Sequence, residues 1–531
     1  MALPEWTVPS LWHVVARSLT IIQSRAPAVY SPRENRDAIA VRIRALGGLL
    51  LLSAGMAYMP SKWVGATLAA LAFGTVALVQ PFVGLVGVAL ALPFGMLYPV
   101  PVPGANAVDL LVGFAFVTWA LARLSARRLA IRAVPGMWPL LGFLWFAGLS
   151  LLAAASWREG TSEWLKWAEF TMVYVVASQV LGPRRTWWVV GALFWAGMVE
   201  VAIGAYQFTR QVGPEAFAIG GRFLRAYGTF GQPNPYAGYL GYLAPVALSL
   251  SLAGFGHWWR CHRPLTAVMA CLTSAVAGLL ILGIGMSWSR GAWVALAAAV
   301  VPIIVLRSRR QMAAALLIVG VATALLVAGG GASWVPPGVA ARVSDLGVYV
   351  LGPDPATTEI TDANFAVLER LAHWQAGLRM FQDHPWIGVG IGNYAAAYSA
   401  YALPHWYEAL GHAHNVWINL LAETGILGFG AFALFWLSLF RYALRAAQDP
   451  AASAYRRALA IGLVGSLTYL TVHGLFDNLF VQHLQLQLAL LAGGLVACSH
   501  EERKPAAAST PSQEQPFARQ PAELLSSRGV S

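Results

Sequence analysis

Arg222 and Arg225 stand three residues apart in the segment GGRFLRAYGTFGQPNPYAG, residues 220–238, between two long apolar stretches. Guanidinium groups stay charged and grip phosphate oxygens with a bidentate fork. In a helix, a spacing of three would put both on one face. The Gly-, Pro- and Asn-rich GTFGQPNP that follows suits a tight re-entrant turn. The bland alternative is a pair of arginines anchored to lipid headgroups. A second basic position is Arg290 in SWSRGAW, residues 287–293, between two further apolar runs. It is a candidate for the same anion, or a snorkelling side chain at a span end.

His414 and Asn415 open another apolar run in GHAHNVWINLLAETGILGFG, residues 411–430, with His412 as a competing candidate. A histidine at a membrane boundary can be neutral near pH 7 and accept a proton. Asn415 and Asn419 share a helical face, and polar groups there must find partners. Glu423 lies nine residues after His414, about 13 Å along a helix axis and out of phase, so a structural bond to a neighbour suits it better. Asp477 in HGLFDNLF can pair with an arginine, orient a histidine, or cap the last helix. Arg370 and Arg379, in ERLAHWQAGLRM, can add phosphate or sugar contacts, and a solvated face suits at least one of them. The glycines of 388–393 lack the strand–turn–helix setting of a nucleotide loop. Walker and HExxH motifs are missing, and the sequence shows no carboxylate cluster that calls for a divalent metal.

The elements that must hold these residues are membrane spans. The chain of 531 residues is 58% hydrophobic and 11% charged, with mean hydropathy +0.60. Soluble domains carry roughly 25% charged residues, so this composition demands many spans rather than one soluble core. Apolar runs fall near 45–60, 63–79, 81–98, 107–124, 136–155, 163–181, 186–208, 235–256, 265–286, 291–306, 311–330, 413–440, 458–475 and 480–498. They predict an all-α polytopic membrane protein of about 12–14 transmembrane helices. The net charge of +12 sits in short inter-span loops, so it is topological and points away from nucleic acid. Arg42, Arg44, Arg123, Arg127, Arg128, Arg132, Arg184, Arg185, Arg260, Arg263, Arg307, Arg309, Arg310, Arg441, Arg445, Arg456 and Arg457 all fall on one face. The positive-inside rule makes that face, and both termini, cytoplasmic. Arg222 and Arg225 break the bias on the opposite face, and an anionic ligand outside the membrane would explain that.

The chain divides into a cytoplasmic segment, 1–44, an N-terminal bundle, 45–208, a catalytic membrane region, 209–498, and a tail, 499–531, expected to be disordered. Residues 11–23 suit a surface amphipathic helix, and no cleavable signal peptide is visible. The outer loop 331–412 is far longer than the usual connection. It predicts a small helical cap, with Leu371, Trp374, Leu378 and Phe381 at helical spacing. Cys261, Cys271 and Cys498 suggest neither a structural disulfide nor a cysteine metal site.

The ordered set GRFLRAYGTFGQPNPYAGYL, SWSRGAW, RLAHWQAGLRMFQDHPWIGVGIGNY and HAHNVWINLLAETGILGFG resembles the O-antigen ligase/polymerase superfamily of bacterial membrane proteins. His414-Asn415, nine residues, Gly425, two residues and Gly428 are similar to its ligase signature H-N-x9-G-x-x-G. The resemblance covers about residues 200–480. It implies a GT-C-like glycosyltransferase at the outer face of the bacterial inner membrane, needing neither metal nor cofactor. The donor would be a glycan on a polyprenyl (undecaprenyl) diphosphate, and the acceptor a hydroxyl of a lipid- or glycan-linked molecule, as in O-antigen ligation. Arg222, Arg225 and Arg290 would hold the diphosphate, and His414 would act on the acceptor, with inversion at the anomeric carbon. Polymerases and protein O-glycosyltransferases share the motifs. A lipid-glycan flippase or anion transporter is the different-class alternative; it would want internal repeats or charges at depth, where only Glu169 and Glu200 stand out.

Overall fold

A computed structural model describes residues 61–100, 105–127, 130–219, 223–307, 353–361 and 364–502. The expected spans at 45–60 and 311–330, the amphipathic segment 11–23, and the first part of the long loop lie outside them. Arg222 does too. The chain divides into two units, 1–75 and 76–531; of the first, only residues 61–75 are described.

Fourteen α-helices run in order among the described residues: α1 (Ser61–Val79), α2 (Phe82–Ala91), α3 (Ala107–Ser125), α4 (Met137–Ser150), α5 (Trp157–Val180), α6 (Pro183–Arg210), α7 (Pro233–Cys261), α8 (Pro264–Met286), α9 (Arg290–Arg307), α10 (Phe365–Asp383), α11 (Tyr394–Tyr398), α12 (Val416–Gln448), α13 (Ala454–His473) and α14 (Gln485–Glu502). Their starts are written in the sequence. Asn106 caps α3 by accepting from the Val108 amide, while its own amide donates to the Asp109 carboxylate, and Pro183, Pro233 and Pro264 open α6, α7 and α8. The only strands among the described residues are Ala218–Ile219 (β1) and Phe223–Leu224 (β2), paired antiparallel.

The chain is therefore an all-α, multi-pass membrane protein. Among the described residues, six helices, α3, α6, α7, α8, α9 and α12, are long and apolar enough to cross a membrane. Three shorter apolar stretches, Thr67–Val79, Phe82–Leu97 and Met137–Ala153, accompany them. Two of the expected spans lie outside the described residues, and α5, which coincides with another expected run, is not among the six and carries Glu163, Lys166 and Glu169. α14 continues to Glu502, and the remainder of the expected tail, 503–531, lies outside the described residues.

In lipid, helices associate through close packing and interhelical hydrogen bonds rather than hydrophobic burial. α7 and α13 show both. Ser466 Oγ donates to the Tyr242 carbonyl, Tyr469 Oη to that of Ala237, and Ser249 Oγ to that of Ala458. A second knot is aromatic: Phe143, Trp167, Phe432 and Phe480 meet edge-on and tie α4, α5 and α12 to the stretch leading into α14.

The long loop supplies α10 and α11, which pack against the start of α12. α10 spans more than its sequence signal, and its buried face differs from the expected one. Val367, Leu368, Ala372, His373, Ala376 and Met380 are buried, while Leu378 is exposed. The small residues of this face admit close approach; Gly377 lies against Ile418 and Tyr394.

Candidate functional site

α6 and α8 end, and α7, α9 and α12 begin, at one end of the bundle, where α13 also stops. The candidate residues gather there. Arg225 follows β2, so its segment is an extended hairpin rather than a helix. Its Nε donates to the Ser287 carbonyl at 2.8 Å and its Nη2 to Asn234 Oδ1 at 3.0 Å. Arg290 is the first residue of α9, reached through a turn in which Trp288 adopts φ +52°. Arg370 comes in from α10, with Nε donating to the Phe476 carbonyl at 3.3 Å.

These three arginines line one cavity of about 150 Å³ with Asn234, Trp288, Ser289 and His473. Three guanidinium groups around so small a space have the charge and the donors to hold an anion. Arg379 is exposed and is not among the lining residues.

His414 sits at the top of α12 with φ +51°. The neighbouring Asn415 is the helix cap; its Oδ1 accepts from the amides of Trp417 and Ile418 at 3.0 and 3.2 Å. Asn419 Oδ1 in turn accepts from the Ala413 amide. The two asparagines therefore fix the backbone that presents His414.

Asp477 does not cap α14, which starts at Gln485; it lies beside the histidines. Its Oδ1 is 3.4 Å from His414 Nδ1 and 3.7 Å from His412 Nε2. Its Oδ2 accepts from Asn234 Nδ2 at 2.6 Å. Burial alone would raise the Asp477 carboxyl, but His414 beside it, with the charges of His412 and Arg370, holds it well below the usual carboxylate range.

His412 Nδ1 accepts from the His414 amide at 3.1 Å, and burial lowers its pKa to about 4. It is thus a neutral acceptor at pH 7. Neither ring nitrogen of His414 has a hydrogen-bond partner among the described residues, so its 3.4 Å approach to Asp477 is an ion-pair distance only. An Nδ1–H facing Asp477 leaves Nε2 with a lone pair. Behind His414 stands His373, whose ring meets it edge-on and stacks on Tyr398. Burial, then the charges of His414 and His412, lowers the His373 pKa to about 3.

Sequence reasoning missed Asn234, His373 and His473. Pro-Asn-Pro at 233–235 was the one local signal for Asn234; nothing local marked the others. It also missed two groups whose donor atoms lie within 4.8 Å of one another and could hold a metal ion: His412, His414 and Asp477, and, away from the cavity, Asp109, Glu169 and His483.

The glycines of 388–393 have a structural use. α12 is broken at Gly425 (φ +61°), and the loop docks into the break. The amides of Val389 and Gly390 donate to the carbonyls of Ala422 and Glu423, and the Ile426 amide donates to that of Pro385. Glu423 Oε1 accepts from the Tyr394 amide at 3.1 Å, the structural bond expected of it.

Residues 275–433 match a family model described as O-antigen ligase. The match bears out the resemblance read from the motifs and includes Arg290, Arg370 and His414. Arg225, Asn234 and Asp477 lie outside it. No curated protein matches the chain.

Proposed function

From a chain that carries the O-antigen ligase domain over residues 275–433, we propose a membrane glycosyltransferase that moves a glycan from a polyprenyl diphosphate to an acceptor hydroxyl. Glycosyl transfer of the ligase or polymerase type is the chemistry the family suggests. The observation that carries the finer statement is the arginine cavity lying beside the Asp477–His414 pair.

Arg225, Arg290 and Arg370 bind the diphosphate, with Arg222 as a further candidate on the same segment. As the bond from the anomeric carbon to the diphosphate oxygen breaks, its electron pair leaves on the lipid diphosphate. Fixed guanidinium groups stabilise that growing charge with no reorganisation. The acceptor oxygen forms the new bond to the anomeric carbon and gives its proton to His414 Nε2. Asp477 stabilises the resulting imidazolium. A single displacement of this kind inverts the anomeric configuration, and the arginines supply the charge a metal would otherwise provide. The site faces outward from the bacterial inner membrane, because the basic loops gather at the opposite end. Residues 209–498 form the catalytic region.

The test is release of polyprenyl diphosphate in proteoliposomes given a polyprenyl-diphosphate oligosaccharide and candidate acceptors, with EDTA present. Transfer that survives chelation and falls in Arg290→Gln supports the assignment. Movement of the lipid-linked glycan across the bilayer with no transfer would replace it with a flippase.

A further inference from the structure

Arg225 and Asp477 carry opposite charges and face each other across one side chain, Asn234. Its Oδ1 takes the guanidinium N–H at 3.0 Å, and its Nδ2 gives to the carboxylate at 2.6 Å. A guanidinium only donates and a carboxylate only accepts, so this orientation of the amide is the one that satisfies both. The side chain is not used at the helix start, where Gln232 is the cap residue and makes no side-chain bond. Pro233 and Pro235, both buried, fix φ on either side of it.

A direct Arg–Asp pair at this spot would neutralise both partners. The arginine would lose the charge that holds a diphosphate, and the carboxylate the charge that supports His414. A neutral amide orients each group and leaves each charge in place. Alanine cannot keep the two groups apart, and aspartate at this position would pair with the guanidinium itself. We propose that Asn234 is a positioning residue that separates Arg225 from Asp477 and keeps the donor pocket and the histidine pair in register. This rests on the proposed role of Arg225 in diphosphate binding.

The experiment measures two quantities in purified, reconstituted protein: affinity for a short-chain polyprenyl diphosphate, and kcat for glycan transfer. Asn234→Ala is expected to weaken binding and lower kcat, each by roughly tenfold, the scale of one charge-assisted hydrogen bond. Asn234→Asp weakens binding further. In an Arg225→Ala background, Asn234→Asp has no further effect on binding, because its effect passes through Arg225. Wild-type binding and kcat in both Asn234 variants, or additive binding losses in the double variant, would overturn the positioning role while leaving Arg225 as a ligand. Unchanged binding in Arg225→Ala itself would remove the donor assignment, and the role of Asn234 with it.

Discussion

The carboxylate of Asp477 lies 3.4 Å from His414 Nδ1, across the gap between the end of α13 and the start of α12. The same carboxylate is held from its other oxygen by Asn234. A proton on Nδ1, toward that carboxylate, would leave Nε2 as the acceptor that the proposed proton abstraction requires. His414→Ala should therefore lower kcat by about 10²–10⁴-fold with donor affinity retained. Asp477→Asn should give a smaller loss of kcat, since the ring keeps a neutral neighbour. Steady-state transfer with separate donor titrations distinguishes the two.

The arginines should divide by position. Arg290→Gln and Arg370→Gln each remove a charge from the cavity and should weaken donor binding by roughly 10–100-fold, the worth of a hydrogen bond to a charged group. Arg379→Gln, on an exposed position away from the cavity, should leave donor binding within about twofold. Lipid-diphosphate binding to the three variants side by side provides the comparison.

Backbone–backbone approach at the break in α12 leaves no room for a methyl group. A Cβ on Gly425 would lie 2.3 Å from the Trp386 carbonyl carbon, and one on Gly388 would lie 2.3 Å from that of Glu423. Both glycines also have positive φ, +61° and +70°. Alanine at either should destabilise by more than about 3 kcal/mol, through strain and displacement of the loop. The readout is loss of monodisperse protein in detergent and a lowered melting midpoint, with Gly430→Ala, which faces open space, as the unaffected control.

The turn after Arg225 is clamped from α6. Gln207 Oε1 accepts from the Tyr227 and Gly228 amides at 3.0 and 2.8 Å, and its Nε2 donates to the Gly228 carbonyl at 2.8 Å. Two turns earlier, Glu200 accepts from the Thr229 amide and hydroxyl. Gln207→Leu leaves buried backbone groups unpaired and should cost about 1–3 kcal/mol for each. The hairpin bearing Arg225 should loosen, and donor KM should rise more than acceptor KM. Hydrogen exchange at residues 223–229 would show the loosening directly.

Acid should destabilise the site before it denatures the bundle. Burial lowers His412 from the ordinary 6.5 to about 4 and His373 from 6.5 to about 3. The unfolded chain therefore binds more protons than the native state between these values. Their stability contribution is complete above pH 6.5 and is lost as pH falls toward 4. The melting midpoint should drop across that window, and less so in His412→Gln.

Much of the bundle was legible because membrane helices advertise themselves by length and composition. The expected runs over 107–124, 186–208 and 265–286 coincide with α3, α6 and α8 to within a few residues. The family resemblance was legible because its motifs are local. Convergence was not. Arg370 lies on a helix of the long loop, far in sequence from Arg225, and only packing of α10 against α12 brings it to the cavity. Its fellow on the same helix, Arg379, stays in the open, a distinction that spacing alone could not draw. Asp477 offered three readings in the sequence, and the partners that separate them, Asn234 and His414, come from other helices. Sequence reasoning assigned the glycine run 388–393 no positive role, because the break at Gly425 that receives it is visible only in three dimensions.

The most direct measurement is glycan transfer from a polyprenyl-diphosphate oligosaccharide in proteoliposomes, comparing wild type with a folded, correctly inserted His414→Ala. Transfer by the wild type and its loss in the variant, with lipid-diphosphate binding intact, is the predicted result. Near-wild-type transfer by His414→Ala would contradict the assignment of His414 as the base.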